Sequence, residues 1–209
     1  MHKIYFEENA LIIANSPSAF SGIPNLYYIG DDELHKSYKI LISNESNGRA
    51  MNFGVVSQDP EETLRDFLAE YRVIQAAGGL VFNKEAQLLS ILRNGIWDLP
   101  KGKIEKHEDQ RAAALREVME ETGLNMINIS EKIGATYHGY FEDKSVLLKE
   151  THWYFMQSNG NGKPVPQMEE GITDVQWVDL DFFKNPELKT YKSIKNIIQR
   201  ALDLLFAKA

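Results

Sequence analysis

Residues 102–124 read GKIEKHEDQRAAALREVMEETGL. From Gln110 to Thr122 the run is rich in Ala, Leu, Arg, Met and Glu and lacks Gly and Pro, which predicts a helix. Asp109 stands where an N-cap is needed, and Gly123 where a helix can end in the left-handed region. Glu117, Glu120 and Glu121 are spaced i, i+3, i+4 and so share one face, with Arg111, Leu115, Val118 and Met119 on the other side. Three carboxylates on one face repel one another at neutral pH, and a helix selected only for stability would interleave Lys. One reading is a solvated acidic face. The other is a face that holds a divalent cation, because Mg2+ is a hard ion bound by a few carboxylates and by substrate phosphates.

The residues around the glutamates favour the second reading. Gly102, Glu108, Arg116, Glu117, Val118, Glu120, Glu121, Gly123 and Leu124 fit the pattern G, five residues, E, seven residues, R-E-apolar-x-E-E-x-G-apolar at every fixed position. With average residue frequencies, a chance match in a chain this long is on the order of one in ten million. This pattern is the Nudix box, and the chain resembles a Nudix hydrolase. The resemblance implies an α+β fold, an α/β/α sandwich around a mixed sheet. It also implies Mg2+, with Mn2+ as a substitute, held by Glu117, Glu120, Glu121 and a backbone carbonyl at the Gly102 turn. Glu108 and Arg116 would form a structural pair closing the loop onto the helix. His107 stands where the family often has Gly or Pro, a departure expected to affect only the shape of the loop.

The rest of the chain bounds this reading. It has 209 residues, 43% apolar and 25% charged, with a net charge of −7, the profile of a globular protein. Without cysteine there are no disulfides, no thiolate catalysis and no Cys-ligated metals. No apolar run reaches membrane-spanning length, and the start MHKIYFEEN lacks a signal-peptide pattern, so a cytoplasmic location is expected. Residues 1–70 carry 5 basic and 11 acidic side chains, which argues against nucleic-acid binding there. Residues 184–209 carry 6 basic and 2 acidic side chains, read as a solvated face with weak anion attraction.

Residues 1–70 read as a small α/β subdomain. The pattern predicts a hairpin of Lys3–Glu7 with Ala10–Ala14, strands at Leu26–Ile29 and Met51–Val56, a turn at Asn44–Gly48, and helices from Asp31 or Asp32 to Ser43 and from Pro60 to Tyr71. No catalytic motif occurs in it. Its expected role is packing, homodimerisation or cover for the active site. Residues 71–209 form the expected hydrolase domain. Strands are predicted at Ala76–Phe82, Gln87–Arg93, Glu131–Tyr137, Ser145–Lys149, Glu150–Gln157 and Val175–Val178. A turn is predicted at 159–162 and a terminal helix over Pro186–Ala207.

In the Nudix family a nucleoside diphosphate derivative is cleaved by water attacking phosphorus, which needs charge neutralisation and a proton acceptor. Glu117 is the first candidate acceptor. Glu169 and Glu170, on a later loop, are the second, and an exposed acidic turn is the alternative for that pair. Arg93, Lys101, Lys103, Lys144 and Lys149 are the cations that could hold phosphate, with Lys101 and Lys103 favoured because they flank Gly102. Trp97 and Tyr137 are candidates for stacking on a base, set against the commoner role of large aromatics in a core. The lead-in Trp97–Glu105 is similar to that of Nudix enzymes acting on dinucleoside polyphosphates and diphosphoinositol polyphosphates. A dinucleoside polyphosphate is therefore the leading substrate. ADP-ribose or a nucleotide sugar is the alternative, and a nucleotide-sensing regulator without turnover is the reading from another class.

Overall fold

A computed structural model describes residues 1–43, 50–142, 145–160 and 162–207. The turn expected at Asn44–Gly48, the cation Lys144 and Asn161 of the 159–162 turn lie outside the described residues. Contacts divide the chain into two compact units, residues 1–74 with 137–149, and residues 75–136 with 150–209.

The first unit pairs β1 (His2–Phe6) antiparallel with β2 (Asn9–Ala14). Next to β2 lies β4 (Asn52–Val56), and beyond it β3 (Leu26–Ile29), both pairings parallel. Every residue of β2 is buried, as expected of a strand covered on both faces. Helix α1 (Leu34–Ser43) is entered through a 3-10 turn at Asp31–Glu33 and buries Leu34, Tyr38 and Leu41. Helix α2 (Pro60–Ala69) starts where Asp59 Oδ1 accepts the N–H groups of Glu61 and Glu62 at 3.1 and 3.0 Å. The unit is not a simple N-terminal segment. β1 also pairs in parallel with Tyr137 and His138, which draws that part of the long hairpin away from the residues expected to form the second domain.

The second unit holds strands in the order β11 (Ile172–Val178), β6 (Leu88–Arg93), β5 (Arg72–Phe82), β10 (Ser145–Ser158), β9 (Ile127–Glu142), of which residues 72–74, 145–149 and 137–142 count with the first unit. The short strand β7 (Ile96–Asp98) pairs with β6, and β8 (Lys101–Lys103) pairs with β5. Strand alternation sends residues of β10 to opposite faces. Tyr154 and Met156 join a core with Ala113, Ala114 and Val118 of α3 (Gln110–Thr122). Trp153 and Phe155 join a core with Ile194, Ile197, Ile198 and Ala201 of α4 (Lys192–Phe206). The sheet is thus sandwiched between helices, an α+β fold with mixed strand directions. Among the described residues no helix is long and apolar enough to cross a membrane.

Two expectations change. β10 runs unbroken through Lys149 and Glu150, where two strands were expected, because no turn residue separates them. The last helix starts at Lys192, not Pro186. The preceding residues are held elsewhere: Trp97 N–H donates to Lys189 O at 2.9 Å, and Thr190 bridges Trp97.

One glycine fixes the β5–β8 contact. Gly78 pairs with Lys101, and a Cβ on it would lie 2.4 Å from Pro100 O and 3.0 Å from Lys101 Cα. Backbone cannot yield as a side-chain tip can. Gly78→Ala should therefore lower unfolding free energy by roughly 1–3 kcal/mol. Denaturant midpoints check this, and an unchanged midpoint would contradict it.

Candidate active site

Helix α3 owes its placement to local capping. Asp109 Oδ2 accepts from Arg111 and Ala112 N–H at 3.0 and 3.1 Å, and Gly123 closes the helix at φ 68°. Arg111 then donates through Nη1 and Nη2 to the carbonyls of Ser130 and Ile129, tying the helix to β9. Upstream, His107 holds φ 70°, a conformation costing a residue with a Cβ about 1–2 kcal/mol.

Arg116 organises the space between loop and helix. Its Nε and Nη2 fork onto Glu108 at 2.8 Å each, and Nη2 also reaches Lys103 O at 3.0 Å. Its Nη1 donates to Glu117 Oε1 at 2.8 Å and to Glu120 Oε2 at 2.9 Å. Glu108 also accepts the Glu105 N–H at 3.0 Å. These bonds hold the Glu108 carboxyl down at about 2, and the pairing raises the Arg116 guanidinium above its ordinary value.

Glu117 and Glu121 lie inside this framework. Glu117 is buried at 6% exposure, and its carboxylate fills the space a side chain on Gly102 would take: a Cβ there would stand 1.9 Å from Glu117 Oε2. Glu121 is fully buried. Its Oε2 accepts the Lys101 N–H at 2.8 Å and its Oε1 accepts from Arg93 Nη1 at 3.1 Å. Arg93 Nη2 donates to Glu170 Oε2 at 2.9 Å. The loop bearing Glu170 is seated on the end of α3 by Val165 N–H to Thr122 O at 2.7 Å and Gln167 N–H to Glu121 O at 3.3 Å. Burial raises both helix carboxyls. Glu117 is raised although Arg116 opposes the shift, and Glu121 is raised to about 7 against the opposing Lys101 and Arg93.

The structure sorts the expected residues. It brings together Gly102, Glu108, Arg116, Glu117, Glu121, Arg93 and Glu170. Glu120 is on the rim, its side chain 49% exposed and paired with Arg116. Glu169 is exposed on the 3-10 turn Met168–Glu170. Lys101 is engaged within the strip: Nζ pairs with buried Asp98, and its backbone N–H serves Glu121. Lys103 is exposed, on the alternate of Gly102 in β8, and its carbonyl accepts from Arg116. Trp97 is half-buried and packs edge-on against Phe182 at 5.0 Å, at the margin of the α4-side core. Tyr137 is buried beside Ile4 in the other unit.

Asp98 was not foreseen, whereas His152 is one of the histidines that the sequence offers as a substrate contact. Asp98 accepts the Leu99 N–H at 2.8 Å as well as pairing with Lys101, and its only signal was an acid inside an apolar lead-in. His152 is buried and its Nε2 meets Gln75 Oε1 at 2.8 Å, while Gln75 Nε2 donates to Glu150 at 2.9 Å.

Among the described residues, no group of three or more His, Asp or Glu side chains forms a ready metal cluster. The carboxylates point instead to Arg116 and Arg93. The donor set nevertheless fits a hard divalent cation. Two buried carboxylates and a backbone approached through a side-chain-free Gly102 are all oxygen chemistry.

A family model described as the NUDIX domain matches residues 73–201, and the chain belongs to the Nudix family. A putative 8-oxo-dGTP diphosphatase from Bacillus subtilis is 38% identical over 76 residues, covering 35% of this chain and 50% of that protein. The chain thus spans about half the length of that relative. The RNA pyrophosphohydrolase of Pelagibacter ubique is 24% identical over 144 residues, covering 60% of this chain and 91% of the relative. The crystal structure of a C. elegans Ap4A hydrolase binary complex superposes with TM-score 0.52 and 20% identity. That match covers 64% of this chain and 98% of the other, and shows a shared fold. Nudix hydrolases as a family use divalent metal ions.

Two outcomes follow from the site. Folded Glu121 keeps its proton to about 7, against an ordinary value of 4.5. The folded chain therefore binds the extra proton between these values, and the stability this gives is full below 4.5 and lost as pH rises through 7. In chelator, the melting-temperature advantage of wild type over Glu121→Gln should shrink between about pH 5 and pH 8; a constant difference would contradict it. Gly102→Ala should displace only the flexible end of Glu117. Calorimetry should find divalent-cation affinity reduced at least about tenfold, with little change in melting temperature. Unaltered affinity would remove Glu117 from the site.

Proposed function

We propose that this chain hydrolyses a diphosphate linkage in a nucleoside diphosphate derivative, with a dinucleoside polyphosphate as its leading substrate. The observation that carries the reading is the pair of buried carboxylates, Glu117 and Glu121, held in place by arginines and backbone N–H groups within a complete box. A protein that stops at stability has no reason to bury two acids there. The family membership supports the hydrolase class. The lead-in Trp97–Glu105 supports the choice among substrates.

Glu117, Glu121, Glu170 and the carbonyl side of the Gly102 strand are the residues that would hold Mg2+, or Mn2+ in its place. Glu120 stands at the rim as a further oxygen donor. The bound ion would lower the pKa of water and neutralise phosphate oxygens. The chain's own residues do the rest. Arg116 orients the Glu117 carboxylate, and Lys101 N–H fixes Glu121. Glu117, whose burial raises its proton affinity, is the first candidate to accept the proton of the attacking water. Glu170 is the second, since its loop is docked on α3. Glu169 ranks after it, because Glu170 is the one bonded to Arg93 of the site. Arg93 and Lys103 are the cations nearest the box left to meet phosphate.

The test is turnover with Mg2+ against dinucleoside polyphosphates, ADP-ribose, nucleotide sugars, nucleoside triphosphates and 5′-triphosphorylated RNA. Chromatography resolves the products. ATP or ADP with a mononucleotide marks the leading substrate, and AMP with ribose phosphate marks the ADP-ribose alternative. Glu121→Gln should lower turnover at least about a hundredfold. Near-normal turnover by that variant at saturating Mg2+ would overturn the role of Glu121, and a wild type inactive on every compound would overturn the hydrolase reading.

A further inference from the structure

Arg93 stands at the end of β6 with its side chain 31% exposed. Its guanidinium does not fork onto one acid. It makes one bond to each of two: Nη1 to Glu121 Oε1 at 3.1 Å and Nη2 to Glu170 Oε2 at 2.9 Å. Arg116 differs, since Nε and Nη2 grip both oxygens of Glu108. Two single bonds to separate carboxylates lack the geometric strength of a fork.

Neither acid depends on Arg93 for its place. Glu121 keeps the Lys101 N–H on its other oxygen at 2.8 Å. The Glu170 loop is held by main-chain bonds: Val165 to Thr122, Gln167 to Glu121, and Asn94 N–H to Gly171 O at 3.0 Å. The contribution of Arg93 is therefore charge. It neutralises a fully buried carboxylate and covers one oxygen of each acid. A second cation approaching those oxygens meets a like charge at hydrogen-bonding range. A diphosphate offers the guanidinium what the two acids do not, several anionic oxygens on one planar fork.

We propose that Arg93 is an exchangeable counter-ion: its guanidinium masks Glu121 and Glu170 until a diphosphate draws it away and leaves both carboxylates to a divalent cation. The inference rests on the hydrolase reading above and adds an order to it. Cation and diphosphate bind cooperatively through Arg93, and the coupling is reciprocal. A protein built this way holds a divalent cation weakly when no substrate is present.

The full-length chain is titrated with Mn2+, the free ion being read by electron paramagnetic resonance, with and without the α,β-methylene analogue of ADP. In wild type the analogue should tighten Mn2+ binding at least about fivefold. Arg93→Gln should bind Mn2+ alone at least about fivefold more tightly than wild type, and the analogue should then add less than about twofold. Equal Mn2+ affinity in the two proteins with unchanged coupling would overturn the counter-ion role while the hydrolase reading stands. A wild type that binds no Mn2+ with or without the analogue would overturn both. If circular dichroism shows that Arg93→Gln does not fold, the exchange is read in wild type from arginine side-chain 15N resonances. Movement of the Arg93 signals on adding the analogue with Mg2+ supports the exchange, and unmoved signals overturn it.

Discussion

Arg116 is the group on which the site depends. One guanidinium joins the box loop, through Glu108 and the Lys103 carbonyl, to the helix, through Glu117 and Glu120. Glu117 is nearly buried, and a buried carboxylate is stable only if something charged or hydrogen-bonding faces it. Removing one partner of such a pair costs about 3–5 kcal/mol, because the other is left uncompensated. The same logic holds one turn further along α3. There Glu121 is fully enclosed, and Arg93 and the Lys101 N–H meet its two oxygens. The fold has thus placed two acids where water cannot hydrate them and supplied each with a cation of its own.

Strand pairing makes this possible. Gly78 lets β8 lie close against β5, and β8 then presents Gly102 to Glu117 and the Lys101 N–H to Glu121. Asp98 completes the strip by binding the Lys101 side chain, which keeps that cation in the sheet. The apolar face of α3, through Ala113, Ala114 and Val118, packs on β5, β6 and β10 and fixes the height of the glutamates. The basic residues nearest the box thereby divide into two groups. Lys101 and Arg116 serve the architecture, and Arg93 faces two acids on separate elements.

Much of this could be read from residue order because its causes are local. The Asp109 cap and the Gly123 stop are written into a few adjacent residues, and the i, i+3, i+4 spacing of Glu117, Glu120 and Glu121 needs only helix geometry. The pairing of Glu108 with Arg116 follows from a loop that must return to its helix. What could not be read depends on tertiary contacts. The single face of three glutamates divides by burial into Glu121, Glu117 and a rim residue, Glu120, and burial depends on the elements packed against the helix, not on its periodicity. Lys101 flanks Gly102 in sequence, yet a buried Asp98 captures it. Tyr137 follows the box by few residues but belongs to the other unit, because β1 pairs beside it. Trp97 is taken by Phe182 and by the segment before α4, neither visible from its neighbours in the chain.

The central claim is that Glu117 and Glu121 were buried to hold a cation. Anomalous diffraction from crystals grown with Mn2+ and a non-hydrolysable diphosphate tests it most directly. One or more anomalous peaks should lie in bonding contact with the Glu117 and Glu121 carboxylates, with Arg93 turned from Glu121 toward phosphate. Mn2+ bound with the diphosphate at other residues, while Arg116 and Arg93 still cover both glutamates, would contradict it.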